Sequence, residues 1–359
     1  MALSKKRVER IKDEMRELKI DVSLILGGGM SNTLLERLSG SRSGSVLVIP
    51  IEGDPSLIVM PIDFTYSSDN AWVRVVEVPP EAQSKRDWTP VAEEIIGVKI
   101  NKIGVIAGSL NNIQENWIKK LNAETIDIQQ PILEPLFSAL DPVEWIYQKQ
   151  ITNVVDIGEK TAFETIKPGI YTNEVAAEIA AAELKAGASG VGYLQVSTGQ
   201  RSAYSHDSAE KVKIKKGDHV LVDLCPTANG YGSDETRTYL AGKGSEKSKK
   251  MINAVNRSVE AVLSAIQPGM KAGELDEISR NVLKDEGFPS YPHTLGHPLS
   301  GCSRPALRPN SKHILETGSI FTVEPGIYTL GYGGVRIEEN VLITKDGFEV
   351  LTARPRIPF

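Results

Sequence analysis

Apolar residues recur along this chain in two rhythms. Near the start, Val8, Ile11, Met15 and Leu18 fall three, four and three residues apart. That is the spacing of one helix face, and Ser4 stands where a cap would. Short apolar runs follow at residues 22–26, 46–51, 57–62, 73–78 and 103–106, each of strand length. The turn formers Gly27-Gly28-Gly29, Gly53-Asp54-Pro55 and Pro79-Pro80 separate them. Alternating helix and strand signals predict an α/β domain over residues 1–135. Its glycine run GGGMSN reads as a tight turn, since the Lys-Ser/Thr pair of a phosphate loop does not follow.

Asp141-Pro142 is a helix start with proline at the first helical position, and Ile146, Ile151, Val154 and Ile157 continue the helix. It opens a second domain, residues 136–359, whose sequence echoes itself once. The stretch from Ile166 to Glu174, continuing to Gly187, resembles the stretch from Ile266 to Glu274, continuing to Gly287. The offset is 100 residues throughout. Two copies are too few for a solenoid, which needs about three. They predict two similar halves related by a pseudo-twofold, with a cleft between them as the place for a site. The string from Gly187 to Gly192 fits a nucleotide fingerprint only superficially, because it follows a helical stretch rather than a strand.

The candidate chemistry lies in this second domain. Asp223, Asp234, Glu324 and Glu338 each sit inside or at the end of an apolar, strand-like run, where an ionised group is costly unless compensated. Asp223 and Asp234 are joined by a turn-rich segment, as are Glu324 and Glu338, so two hairpins would each deliver two carboxylates. His297, in HTLGHP, adds an imidazole. Oxygen-rich ligation with one nitrogen suits Mn, Co, Fe or Zn. Four carboxylates leave excess negative charge around one ion, so two bridged ions are the better match. Such a pair activates water and polarises a carbonyl, which implies metal-assisted hydrolysis of an amide or similar bond.

These residues and their settings resemble the creatinase/methionine aminopeptidase ("pita-bread") superfamily, and within it Xaa-Pro dipeptidases (prolidases) and Xaa-Pro aminopeptidases. The matching strings run from Gly217 to Asp223, Gly230 to Thr238, Leu295 to His297, Thr322 to Tyr328 and Gly334 to Glu338. A looser match from Asn32 to Gly40 extends to the creatinase-type N-terminal domain. The resemblance implies an α+β fold, with a C-terminal pita-bread domain behind a smaller α/β domain. It also implies a metal set of Asp223, Asp234, His297, Glu324 and Glu338, with Asp234 and Glu338 bridging the ions. Glu324 would shuttle the proton between a hydroxide held by the ions and the leaving amine. His206 and His293 would contact substrate, and Arg336 would orient the bridging carboxylates. The expected activity is cleavage of Xaa-Pro bonds in a small peptide, most of all in dipeptides. The alternatives are an aminopeptidase on longer peptides, a non-peptidase hydrolase of a small amide or amidine, and a non-catalytic binding protein.

The chain departs from that pattern after His297. The family's second histidine is absent, and Cys302 or Arg304 falls in its neighbourhood; Arg304 could bind a substrate carboxylate. Cys225 stands where glycine is usual, two residues past a ligand. Both cysteines are expected as small apolar filler, and His313 as surface. A net charge of -5 argues against broad nucleic-acid binding. The first residues lack the apolar stretch of a signal peptide, and no window approaches a membrane span. With only two cysteines in 359 residues, the chain is expected to be cytoplasmic with reduced thiols. A homodimer is implied by the resemblance alone.

Overall fold

The structure, a computed structural model, describes residues 2–27, 33–83, 88–97, 100–106, 108, 110–120, 122–301 and 303–357. Most of the GGGMSN run, and Cys302, therefore lie outside the described residues. The chain divides into two compact units, Met1–Phe137 and Ser138–Phe359.

The first unit is built on six strands: β1 (Val22–Leu26), β2 (Val46–Pro50), β3 (Ser56–Val59), β4 (Arg74–Glu77), β5 (Lys102–Val105) and β6 (Glu124–Asp127). They lie in the order β4-β3-β2-β1-β5-β6. The β1–β2 and β2–β3 pairs are antiparallel and the others parallel. All five residues of β1 are buried, as a strand covered on both faces requires. The first helix, Ala2–Leu18, starts before Ser4, so Ser4 lies within its first turn rather than capping it. Val8, Ile11 and Met15 are its buried stripe. The apolar run at 57–62 ends as strand at Val59 because Pro61 opens the helix Pro61–Asn70, where its missing N–H is not needed.

The second unit carries the echoed halves. Helices Glu144–Thr165 and Thr172–Lys185 recur as Glu246–Ala265 and Ala272–Asp285. The ends of the first helices and both bounds of the second are 100 residues apart. Each second helix closes in the same way. Ala188 N–H donates to Glu183 O at 3.0 Å and Gly187 N–H to Leu184 O at 3.2 Å; Phe288 to Leu283 O and Gly287 to Lys284 O, both at 2.9 Å, repeat the pattern. This Schellman closure needs φ > 0 at the glycine, and Gly187 and Gly287 have φ of 108° and 80°. At the domain's opening helix, Asp141 O accepts the Glu144 N–H, and Glu144 Oε2 accepts the Asp141 N–H.

The strands of this unit are β7 (Gly190–Thr198), β8 (His219–Ala228), β9 (Tyr231–Gly232), β10 (Glu235–Leu240), β11 (Ile320–Val323), β12 (Gly326–Thr329), β13 (Gly333–Arg336), β14 (Glu339–Thr344) and β15 (Gly347–Val350). They form a β10-β8-β7 sheet with β9 on β8, a β11-β14-β15 sheet, and the β12–β13 hairpin. Strand alternation sorts their side chains into two layers. Val220, Val222 and Leu224 pack into an apolar core with Val155, Val175 and Ile179 of the first helix pair. Phe321, Val323, Val335 and Ile337 pack into another with Val255, Val259 and Leu275 of the second pair. Asp223, Thr322 and Arg336 fall between these core positions and Glu338 follows Ile337, so they belong to the opposite layer.

Candidate metal centre

The two hairpins bring the acids together by register. In the antiparallel β8–β10 pair Asp223 faces Thr236, and Asp234 stands just before β10. In the β12–β13 hairpin Gly326 faces Arg336, so Glu324 and Glu338, each two residues beyond, flank its open end. The His297 segment is pressed onto β11: Thr322 N–H donates to His297 O at 2.9 Å and His297 N–H to Thr322 Oγ1 at 3.1 Å. Only glycine permits this approach at position 296, because a Cβ there would lie 1.8 Å from Thr322 O.

A cavity of about 510 Å³ results. It is lined by Asp223, Asp234, His297, Glu324 and Glu338, by His206, His293 and Arg336, and by Tyr193, Ser205, Thr294 and Cys225. Arg304, half-buried, is not in this lining. His313, expected at the surface, is half-buried and its Nδ1 accepts the Ala306 N–H at 3.2 Å. Cys225, expected as filler, is instead on the cavity wall, with its thiol donating to Asp234 Oδ1 at 3.2 Å. Pleat parity explains the difference, since residues i and i+2 share a strand face and Cys225 shares that of Asp223.

Each buried acid is held by one oxygen only. Arg336 Nη2 donates to Asp223 Oδ2 at 2.5 Å, and Thr236 Oγ1 donates to Glu338 Oε2 at 2.7 Å. Among the described residues no donor reaches Asp223 Oδ1 or Glu338 Oε1, although both are buried. A buried acceptor without a partner costs about 1–3 kcal/mol. Two sets of donor atoms lie within 4.8 Å of one another: Asp223, Cys225 and Asp234; and Asp234, His297 and Glu338. Asp234 is common to both, as a bridging ligand would be. His297 Nε2 lies 3.3 Å from Asp234 Oδ2 and 3.6 Å from Glu324 Oε1. Unpartnered oxygens, a shared carboxylate and a lone imidazole fit divalent cations.

The electrostatics carry the same signature. Burial pushes Asp223 up to about 8, with Asp234 and Glu324 adding to it against Arg336. Burial and the neighbouring Asp234, Glu324 and Asp223 push Glu338 well above the carboxylate range. Burial raises Glu324 to about 7, opposed by the charges of His297 and Arg336. Burial would depress His297, but the hydrogen bond to Asp234 and the charges of Asp234 and Glu324 lift it to about 9. Burial also works against ionised Asp234, yet His297, Cys225 and Asp223 outweigh it and hold the carboxyl low. Burial and mutual repulsion thus favour the protonated forms of Asp223 and Glu338, a demand for positive charge that bound cations would meet.

His293 lies on another part of the cavity wall. Burial, with the charges of Arg336 and Arg280, lowers His293 to about 4. Thr294 O lies 2.8 Å from His293 Nδ1 and Tyr328 OH 2.8 Å from Nε2. A carbonyl only accepts, so Nδ1 carries the hydrogen and Nε2 accepts from Tyr328. Tyr328 OH in turn accepts from Arg336 Nη1 at 3.0 Å. His206 meets the Tyr193 ring edge-on, 5.9 Å between centroids.

Residues 148–345, more than half of the chain and including all five candidate ligands, match the model of metallopeptidase family M24. The chain belongs to metallopeptidase family M24. It is 31% identical over 299 residues to the Xaa-Pro dipeptidase of Pyrococcus furiosus, an alignment covering 80% of this chain and 86% of that one. The prolidase of Pyrococcus horikoshii has a TM-score of 0.88 at 26% identity, over 99% of this chain and 100% of the other. An X-Pro aminopeptidase from Thermotoga maritima reaches 0.87 at 26% identity, over 98% of both chains. This M24 protein is thus a metal-dependent hydrolase with the pita-bread fold. No described helix is long and apolar enough to cross a membrane.

Tyr328 and Thr236 went unremarked as site residues in the sequence, and Cys225 was noted only as a departure from glycine beside a ligand. Tyr328 sits within the Thr322–Tyr328 string, and Cys225 was accessible through pleat parity with Asp223. Thr236 carries no signal of its own, because its role depends on β10 meeting the Arg336–Glu338 segment.

Proposed function

We propose that the protein is an Xaa-Pro dipeptidase with a dinuclear centre, and that its second unit is the catalytic domain behind a creatinase-like N-terminal domain. The observation that carries this is the pair of buried, unpartnered oxygens on Asp223 and Glu338 on either side of the shared Asp234. The names of the related proteins supply the Xaa-Pro specificity. Asp223, Asp234, His297, Glu324 and Glu338 would hold two divalent ions, for which Mn or Co suits the oxygen-rich set, with Zn and Fe as alternatives. Bound there, the ions would polarise the scissile carbonyl and make a water acidic enough to attack at neutral pH.

The chain's own residues do the rest. Glu324, poised near neutrality, takes the proton of the attacking water and returns it to the departing proline nitrogen. His293, neutral and with its Nδ1–H held by Thr294 O, would accept from substrate at Nε2 by exchanging the Tyr328 hydroxyl for it. His206 faces the same cavity. Arg336 fixes Asp223 directly, and its Nε donates to Thr236 Oγ1 at 2.9 Å, the group that holds Glu338. Arg304 is left out of these contacts because it is not in the cavity lining. We assign a cytoplasmic homodimer on the low cysteine content and the family resemblance.

The test is a substrate panel on the Mn-loaded protein: Met-Pro, an Xaa-Pro-Xaa tripeptide, a dipeptide without proline and a creatine-like amidine. Hydrolysis of Met-Pro above the rest supports the proposal. Preference for the tripeptide would move it to an aminopeptidase, and turnover of the amidine alone would overturn the peptidase assignment.

A further inference from the structure

Cys225 occupies a position in the cavity that filler does not need. It lies on β8 two residues past Asp223, on the same face, and its strand partner is irregular there. Gly192 and Tyr193 of β7 both stand opposite Cys225, a β-bulge. Gly192 has φ 55°, and a Cβ on it would lie 2.1 Å from Cys225 O. A bulge bends the strand that carries it, here β7, and bulges recur beside active sites. Here Cys225 Sγ shares a 4.8 Å cluster with carboxylate oxygens of Asp223 and Asp234. Asp223, nine-tenths buried, also carries an oxygen that no donor among the described residues reaches.

We propose that Cys225 is a metal ligand in this chain, joining Asp223 and Asp234 on one of the two cations and turning that position into a mixed oxygen–sulfur site. Such a site favours thiophilic divalent ions, zinc or cadmium, over manganese. The exchange balances simply. The S–H bond that now points at Asp234 Oδ1 breaks, a metal–sulfur bond forms, and the proton leaves to solvent. The other position, served by Asp234, His297 and Glu338, keeps the oxygen-and-nitrogen set of a harder ion. The two positions therefore differ in preference, and mixed loading is expected when both kinds of ion are present. This inference rests on the dinuclear reading above.

The test uses metal-free full-length protein titrated separately with Co²⁺, Cd²⁺ and Mn²⁺. Wild type should develop a near-ultraviolet sulfur-to-cobalt charge-transfer band that is lost in both Cys225→Ser and Cys225→Gly. Cd²⁺ affinity should fall by roughly 10–100-fold in the variants, while Mn²⁺ affinity is maintained. Wild type alone decides the first point, so a variant that fails to fold does not rescue the idea. Mn²⁺ binding at two per chain with no charge-transfer band in wild type overturns the cysteine ligand and leaves the dinuclear centre standing. A band that survives both substitutions assigns the sulfur elsewhere, and equal losses for Cd²⁺ and Mn²⁺ reduce Cys225 to a packing role. Failure of wild type to bind any of the three ions overturns both readings.

Discussion

Arg336 grips Asp223 Oδ2 at 2.5 Å and leaves Oδ1 bare. A salt bridge meant only for stability would engage both oxygens of a buried carboxylate, since a fork-to-fork pair is the stronger geometry. Here the guanidinium spends its other donors on Thr236, Ser205 O and Tyr328 OH. One cation thereby steers Asp223 directly, Glu338 through Thr236 and His293 through Tyr328. Replacing it with Lys retains charge but loses the fork. Arg336→Lys should weaken Mn²⁺ binding by about 10–100-fold, measured by calorimetry on metal-free protein. Unchanged affinity would show that the carboxylates orient themselves.

Glu324 is held by Thr322 Oγ1 at 3.2 Å and faces His297, while Arg336 secures other ligands. Glu324→Gln keeps the size and removes the titrating group. Turnover of Met-Pro should fall by about 10²–10⁴-fold, with the melting temperature little changed and much of the metal retained. A variant with near wild-type kcat would remove the proton shuttle from the mechanism.

A separate buried acid reports on stability. Glu183 is fully buried with no hydrogen-bond partner for either oxygen among the described residues, beside Gly158, where a Cβ would meet Glu183 Oε1 at 2.7 Å. Burial raises its pKa to about 8. The folded state therefore holds a proton that the unfolded chain releases near 4.5, the ordinary value. Stability from this group is fully present below that value and lost as pH rises through about 8. Relative to Glu183→Gln, the wild type should lose on the order of a few kcal/mol between about pH 5 and pH 9. Parallel melting curves for the two proteins across that window would contradict the assignment.

How much of this was legible in the sequence depends on the kind of signal. The echo around Ile166 and Ile266 carried two repeated helices because glycine at 187 and 287 serves the same closure in both. The four acids and His297 stood out because charge inside apolar alternation is expensive, and the turn-rich joins made their convergence a matter of hairpin geometry. The reading failed where a neighbour decides the outcome. Strand β6 is a largely exposed four-residue edge with one apolar residue, Ile126, and no run to notice. Ser4 looked like a cap, yet the helix had begun before it. Arg304, expected near the site from its distance to His297 along the chain, is half-buried and is not among the residues that line the cavity. Cys225 shares the face of Asp223 by its place two residues further along β8, but its residue type read as small apolar filler rather than as part of the site.

Metal dependence is also coupled to protons. Asp223, Glu324 and His297, raised to about 8, 7 and 9, must shed protons for cations to enter. Mn²⁺ affinity should therefore rise steeply from about pH 6 to pH 8, with proton release seen as a buffer-dependent heat of binding. A flat profile with no buffer dependence would mean that these groups are not the ligands.

The most direct measurement follows bound Mn²⁺ per chain and Met-Pro hydrolysis in the same samples as metal-free protein is reloaded, for wild type and Asp234→Asn. The account predicts no turnover without metal, full turnover as loading reaches two ions, and loss of both loading and turnover in the variant that removes the shared carboxylate. Undiminished hydrolysis by the metal-free protein, or normal loading and activity in Asp234→Asn, would contradict it.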